Sequence, residues 1–356
     1  MEYWYDEDGN RTKYVKTYEG KPIECYTYQY NNSNQLVSRT NESLWIDNVT
    51  YYTYDGDGNR ISEKTGLWET TYEYTAENRL SVVRQQGVVL MAALYDGDGN
   101  RLFTMDYTGV CDKPERYDPC DHKECPFHDE DYRHDCMEDM DIWIPDCGTD
   151  TDDNIVDNSG AEDAMKELAS MVSRKAQKHY SITEYVNDIS FANEEVLVEL
   201  NIKGEVTSAY TYGYNRVSND MGDDTLYYLY DAHGSVTRIA SEWGRVQETY
   251  SYDPYGNLTY GLPDTVNFFG YNGESTNLFT GLQYLRARYY DMANGSFLSE
   301  DTYAGNATEP LSLNRYAYVS NNPVNYRDPS GRFAIPNVFE EIEKGFEYLE
   351  KGWKKR

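Results

Sequence analysis

Bulky and polar side chains alternate along this chain with a period of two. In Trp68, Thr70, Tyr72 and Tyr74 the larger members share one parity, and Leu226, Tyr228 and Tyr230 repeat the pattern. Such a period sends successive side chains to opposite faces of a β-strand. Turn-forming clusters interrupt the alternation. One phrase recurs as Tyr5-Asp6-Glu7-Asp8-Gly9-Asn10-Arg11, Tyr54-Asp55-Gly56-Asp57-Gly58-Asn59-Arg60 and Tyr95-Asp96-Gly97-Asp98-Gly99-Asn100-Arg101. Looser copies run from Tyr30 to Leu36, Tyr74 to Leu80, Tyr230 to Val236 and Tyr252 to Leu258. Starts at 5, 30, 54, 74 and 95 give intervals of 25, 24, 20 and 21 residues, and 230 to 252 is 22.

Each copy predicts a β-hairpin. Asp-Gly and Gly-Asn supply the positive-φ positions that turns of about two to four residues need. A period of about 20 residues fits two strands of roughly seven to nine residues plus turns. A lone hairpin cannot bury its tyrosine face, so consecutive hairpins are expected to stack. The expected fold is mainly β: repeated antiparallel hairpins in one curved, spiralling sheet, a partial shell, with one inserted and one C-terminal helix. The Asp-Gly-Asp-Gly-Asn core also resembles a calcium loop, but counted from Asp55 its sixth position is Arg60 where an EF-hand needs Gly.

Composition narrows the classes. Hydrophobic residues reach only 39%, yet 37 tyrosines and 15% aromatics exclude an ordinary disordered chain. The longest apolar run, Val88 to Leu94, is strand-sized, so no membrane span is expected. Acidic residues outnumber basic ones by 62 to 32, a net charge of −30. That balance argues against nucleic acid as a partner, because such binding rests on Lys and Arg neutralising phosphates.

A second signature lies downstream. It runs Gly281-Leu282-Gln283-Tyr284-Leu285-Arg286-Ala287-Arg288-Tyr289-Tyr290-Asp291, then Gly295-Ser296-Phe297-Leu298-Ser299-Glu300-Asp301. It continues as Leu313-Asn314-Arg315-Tyr316-Ala317-Tyr318-Val319 and Asn321-Asn322-Pro323-Val324-Asn325-Tyr326-Arg327-Asp328-Pro329-Ser330-Gly331. The tyrosine-aspartate phrases resemble the YD repeat of the Rhs family, and this run is similar, almost word for word, to the Rhs repeat-associated core. The chain then divides into YD repeats over 1–105, an insertion over 106–180, repeats resumed over 181–260, the core over 261–331 and a tail over 332–356. The resemblance implies repeats wound into a hollow β-shell, with the core plugging one end. In secreted or cell-surface members the shell encloses a variable C-terminal toxin, and the core cuts the chain after an Asp-Pro-x-Gly-Leu motif. The implied partners are that toxin or the remaining upstream shell. Met1 opens inside a repeat without the charged and apolar regions of a secretory signal. The chain is therefore expected to be the C-terminal portion of a longer protein or a truncated gene.

Peptide hydrolysis by carboxylates needs two of them close together, one protonated and one ionised. The resemblance implies Asp301 and Asp328 for this role. Arg288 would orient one carboxylate or polarise the scissile carbonyl, and the cut would fall between Gly331 and Arg332. Arg332 stands where cutting members carry Leu, so a core that keeps its architecture without cutting is the alternative. Asp-Pro and Ser-Gly are also ordinary turn pairs. Residues 333–356 read as one helix, with Asn337 as N-cap, Glu340 at N3 and an apolar stripe of Val338, Ile342, Phe346, Leu349 and Trp353. No cofactor and no toxin enzyme domain are expected.

The insertion differs in character. Residues 106–163 hold 20 acidic and 4 basic side chains. Cys111, Cys120, Cys125, Cys136 and Cys147 are disulfide candidates. Cys120 and Cys125 with His128 or His134 form a candidate zinc set, though the spacing Cys-x4-Cys-x2-His matches no compact zinc module well. An acidic surface loop with incidental thiols is the third reading. Ser159-Gly160-Ala161-Glu162 is a capping-box pattern, starting a helix with Ala164, Met165, Leu168, Met171, Val172 and Ala176 on one face. Three functions stand side by side: an encapsulating shell with aspartic-type self-cleavage, an adhesion module binding a cell-surface carbohydrate or protein, and a remnant that has lost its effector.

Overall fold

Hairpin follows hairpin through most of the computed structural model, which describes residues 1–44, 46, 48–108, 161–172, 177–190, 193–261 and 267–336. The zinc and disulfide candidates of the insertion, and the helix expected from Asn337 onward, lie outside the described residues. Two compact units are present, Met1–Asp106 with Ile182–Arg356, and Tyr107–Ser181.

The first run of strands is β1 (Glu2–Tyr5), β2 (Arg11–Tyr18), β3 (Lys21–Tyr30), β4 (Leu36–Asn41) and β5 (Val49–Tyr54). It continues with β6 (Arg60–Thr65), β7 (Trp68–Tyr74), β8 (Leu80–Gln85), β9 (Val88–Tyr95) and β10 (Arg101–Tyr107). The second run is β11 (Tyr180–Asp188), β12 (Glu195–Leu200), β13 (Val206–Tyr212), β14 (Arg216–Met221), β15 (Asp224–Tyr230), β16 (Val236–Ser241) and β17 (Val246–Thr249). All seventeen strands belong to one sheet, and neighbours in the chain pair antiparallel.

The loop geometry explains the repeated phrase and corrects its expected length. Five residues, rather than two to four, separate the paired ends Tyr5 and Arg11, Tyr54 and Arg60, and Tyr95 and Arg101. The first residue of the loop organises it. Asp55 Oδ1 accepts the N–H groups of Asp57 (3.0 Å) and Asn59 (2.8 Å), while Asn59 Nδ2 donates to Asp55 Oδ2 (3.0 Å). Asp6 and Asp96 repeat all three bonds. Gly58 turns the chain at φ 82°, a region where an L side chain is strained. At the other end of the strands the turns are short: Gln86 and Gly87, with φ 50° and 82°, join β8 to β9.

In four of the repeats the tyrosine before the loop ties its hairpin to the preceding one. Tyr74 Oη donates to Arg60 O (2.8 Å), Tyr95 Oη to Leu80 O (2.6 Å), Tyr230 Oη to Arg216 O (2.7 Å) and Tyr252 Oη to Val236 O (2.9 Å). Burial raises the Tyr74 and Tyr95 phenols above their ordinary value, which keeps them as donors. Two residues earlier, Tyr28, Tyr52, Tyr72, Tyr210 and Tyr228 are buried on the same face.

That face receives the core module. β18 (Ser251–Tyr252) pairs with β19 (Leu258–Tyr260). β20 (Leu282–Leu285), β21 (Arg288–Asp291) and β22 (Ser296–Phe297) form a small sheet, and β23 (Tyr326–Arg327) pairs with β24 (Ile335–Pro336). Leu282, Tyr284, Tyr289 and Leu298 pack with Tyr72, Leu80, Val83 and Met91 of β7 to β9. The tail expected to be helical from residue 333 is instead extended at Ile335, where β24 pairs with Arg327.

In the second unit α1 (Ala161–Ser170) buries Leu168 completely. The helix ends at Ser170, so Met171 and Val172 follow it rather than extending its face. Thr108 N–H donates to His179 O at 2.9 Å, and the Tyr107 and Tyr180 rings meet edge-on at 5.6 Å. No helix among the described residues is long and apolar enough to cross a membrane.

Candidate functional site

The β23–β24 hairpin carries the Asp328-Pro329-Ser330-Gly331-Arg332 segment as its loop, fixed at both ends by the pairing of Arg327 with Ile335. Against this loop lies the turn between β20 and β21, where Leu285 and Arg288 pair across the two residues Arg286 and Ala287. Arg288 and Asp301, from separate segments, are drawn to the loop that carries Asp328, Gly331 and Arg332.

Arg288 is the hub. Its Nη2 lies 2.6 Å from Asp301 Oδ2 and 3.8 Å from Asp328 Oδ2, with side-chain exposures of 7%, 13% and 4% for the three residues. Nη1 donates to Arg315 O (3.0 Å), and Nε donates to Gly331 O (2.5 Å). The guanidinium carbon sits 3.6 Å from the centre of the Phe297 ring. Asp328 Oδ1 accepts the Arg332 N–H at 3.1 Å and the Phe333 N–H at 3.3 Å, and Ser330 Oγ donates to it at 3.0 Å. Asp301 is held through its backbone, whose N–H donates to Arg315 O at 3.0 Å.

Burial and charge oppose each other here. Burial pushes the Asp328 carboxyl above its ordinary value, against the pull of Arg288, Ser330 and the two amides. Burial pushes Arg288 down to about 10, opposed by Asp301 and Asp328, so it remains charged at neutral pH. Gly331 has φ 66°, and a Cβ there would lie 2.4 Å from Leu285 O and 2.9 Å from Arg288 N. The arrangement provides a carboxyl held toward its protonated form, a second carboxyl on the same guanidinium, and a cation on one peptide carbonyl.

Two groups escaped the sequence reading. Arg286, in the β20–β21 turn at φ 59°, donates from Nη1 to Pro329 O (2.5 Å) and pairs with Glu274 (2.8 Å). The residue that follows the repeat loops is the other. Arg11, Arg60, Arg101 and Arg216 are buried, with Arg60 0% exposed and 2.7 Å from Asp291. Arg101 lies 4.2 Å from the Tyr284 ring and Arg216 3.3 Å from the Phe269 ring. For Arg11, Arg60 and Arg101 the signal was the Arg that recurs after Gly-Asn in the phrase, and it marks contacts with the core rather than a charged surface.

The Teneurin YD-shell family model matches residues 177–324. The tRNA nuclease WapA of Bacillus subtilis is 31% identical over 328 residues, 89% of this chain and 12% of that protein. This is an Rhs/YD-repeat chain. The tRNA3(Ser)-specific nuclease WapA of Bacillus spizizenii is similar at 30% identity, again over 89% of this chain and 12% of its own length. The chain thus spans about an eighth of the length of these curated relatives. Among solved structures, TcdB2-TccC3 without its hypervariable C-terminal region is similar at 17% identity and a TM-score of 0.43, covering 92% of this chain and 17% of that one.

Proposed function

We propose that this chain is part of a toxin-associated Rhs shell whose core cuts its own backbone between Gly331 and Arg332. One observation carries the cutting: both polar atoms of that single peptide bond are gripped by the candidate residues. The Gly331 carbonyl oxygen accepts from Arg288 Nε at 2.5 Å, and the Arg332 N–H donates to Asp328 Oδ1 at 3.1 Å. Arg288 stabilises the oxyanion that forms as the carbonyl is attacked. Asp301 takes one proton from a water whose oxygen bonds to the Gly331 carbonyl carbon. Asp328 gives its proton to the Arg332 nitrogen as the carbon–nitrogen bond breaks, leaving a carboxyl on Gly331 and an amine on Arg332. Proton exchange with solvent then resets the two aspartates.

The expected partners are the remaining shell and the segment beyond the cut, a toxin by analogy with the WapA proteins, and the expected setting is secreted or cell-surface. Intact-mass measurement of the purified chain tests the chemistry. A break at Gly331–Arg332 that disappears in Asp301→Asn and in Asp328→Asn supports it; a wild-type chain that stays whole refutes it.

A further inference from the structure

We infer that the β20–β21 turn is a main-chain clamp that selects which bond is cut, with Arg286 as a positioning residue anchored on the repeat sheet. This rests on the self-cleavage reading. Three successive donors meet three successive carbonyls. Arg286 Nη1 donates to Pro329 O (2.5 Å), Ala287 N–H to Ser330 O (3.2 Å) and Arg288 Nε to Gly331 O (2.5 Å). A shift of the loop by one residue would break all three bonds at once.

The clamp reads backbone, with one exception. No side chain of Pro329 or Ser330 is needed for these bonds. Residue 331 must be glycine, because a Cβ would meet Leu285 O at 2.4 Å and φ is 66°. Arg332 is exposed and is held by its N–H. Selection therefore lies before the bond, and arginine in place of leucine after it does not prevent cutting.

Arg286 is itself held from the sheet side. Its Nε and Nη2 donate to Glu194 O (3.1 and 3.0 Å), Nη2 lies 3.4 Å from Glu195 Oε1, and Arg79 Nη1 donates to the Arg286 carbonyl at 3.0 Å. Glu195 opens β12 and Arg79 precedes β8, so docking of the sheet on the core sets the clamp. Strands remote from the reacting bond thereby control the cut.

The test is a time course of cutting in the full chain by intact mass, beside amide exchange at residues 330–333 in the uncuttable Asp301→Asn chain. Misplacing reacting groups by about 1 Å costs up to about a hundredfold, so Arg286→Ala is expected to slow cutting at least about tenfold. Arg286→Lys should recover part of the rate and Glu195→Gln should slow it. The pH profile should not move in any of the three, because Asp301 and Asp328 set it. Arg332→Leu should cut near the native rate, and Gly331→Ala should not cut. Native-rate cutting by Arg286→Ala, or a sharp dependence on residue 332, overturns the clamp. If the wild type stays whole, self-cleavage falls and the clamp is judged by exchange alone: faster exchange in Asp301→Asn/Arg286→Ala supports it, and unchanged exchange overturns it.

Discussion

Replacing Asp291 by Asn isolates a buried ion pair that joins the repeat sheet to the core. Arg60 is fully buried, and its Nη1 lies 2.7 Å from Asp291 Oδ2. Two other donors of the guanidinium, Nε and Nη2, have no hydrogen-bond partner among the described residues. The Tyr52 ring, 4.7 Å away, is present before and after the substitution and cancels from the difference. Asn294 Nδ2 donates to the same Oδ2 at 2.6 Å, so an amide nitrogen placed there would face donors. Removing one partner of a buried pair costs about 3–5 kcal/mol, because the other charge is left uncompensated. Glu63, 3.9 Å from Nη1 and partly exposed, keeps the expected loss near about 3 kcal/mol. Urea denaturation at neutral pH reads it as a lower midpoint with an unchanged slope. The pH dependence has a definite sign. Burial raises the Asp291 carboxyl, but Arg60, Arg39 and the Asn294 N–H outweigh it, and it sits below its ordinary value. A depressed carboxyl contributes stability above the unfolded value of about 3.9 and loses it as pH falls through the folded one. The wild-type advantage over Asp291→Asn should therefore be flat from pH 7 to about 5 and shrink below about 4. A loss under about 1 kcal/mol, or an advantage that grows in acid, would refute the assignment.

Tyr95→Phe leaves the Leu80 carbonyl without its 2.6 Å donor and should cost about 1–3 kcal/mol in the same denaturation assay. Asp55→Ala strips three hydrogen bonds from one repeat loop; a loss of about 1–2 kcal/mol is expected, with Asp55→Asn recovering part of it. In the proposed self-cleavage Asp328 gives its proton, and its carboxyl is raised by burial, so the rate should fall as pH rises past that value. A rate that climbs steadily with pH would remove Asp328 from the acid role.

The hairpin repeat was legible because its two ingredients are local. A Tyr-Asp pair with Gly-Asn starting three residues after the Asp carries the turn within one loop, and alternation carries the strands. Loop length was misjudged because the Asp side chain bridges Asp57 and Asn59, and no propensity for Gly-Asn reports that span. The buried arginines were missed for a different reason. Arg60 meets Asp291 across 231 residues of chain, and arginine read one residue at a time belongs to the surface. The residues around the proposed cut were reached through family resemblance, since neither Arg288 nor Asp301 stands in a spacing that identifies a site. Arg286 belonged to the same motif, but its placement depends on a left-handed turn and on Glu194 and Glu195 in a distant hairpin.

The residue closing seven of the repeat loops now has a physical meaning. Leu36, Leu80 and Val236 occupy the same position as Arg11, Arg60, Arg101 and Arg216, and all seven are buried, whereas Val206 and Leu258, which close the loops after Leu200 and Tyr252, are exposed. Leu80 shares a buried cluster with Leu282 and Leu298, and Val236 shares one with Phe269. The arginines meet aromatic faces or a carboxylate of the core: Tyr255 at 3.9 Å for Arg11, Asp291 for Arg60, Tyr284 for Arg101 and Phe269 for Arg216. A register slip of one residue would turn these side chains to the opposite face. A slip of one whole repeat would set a guanidinium against leucine and leave Asp291 buried without its cation. The choice between Arg and an aliphatic residue at this single position thus specifies which hairpin sits over which part of the core. The same alignment carries Glu194 and Glu195 to Arg286. On the self-cleavage proposed above, the cut would therefore depend on the sheet having docked in register.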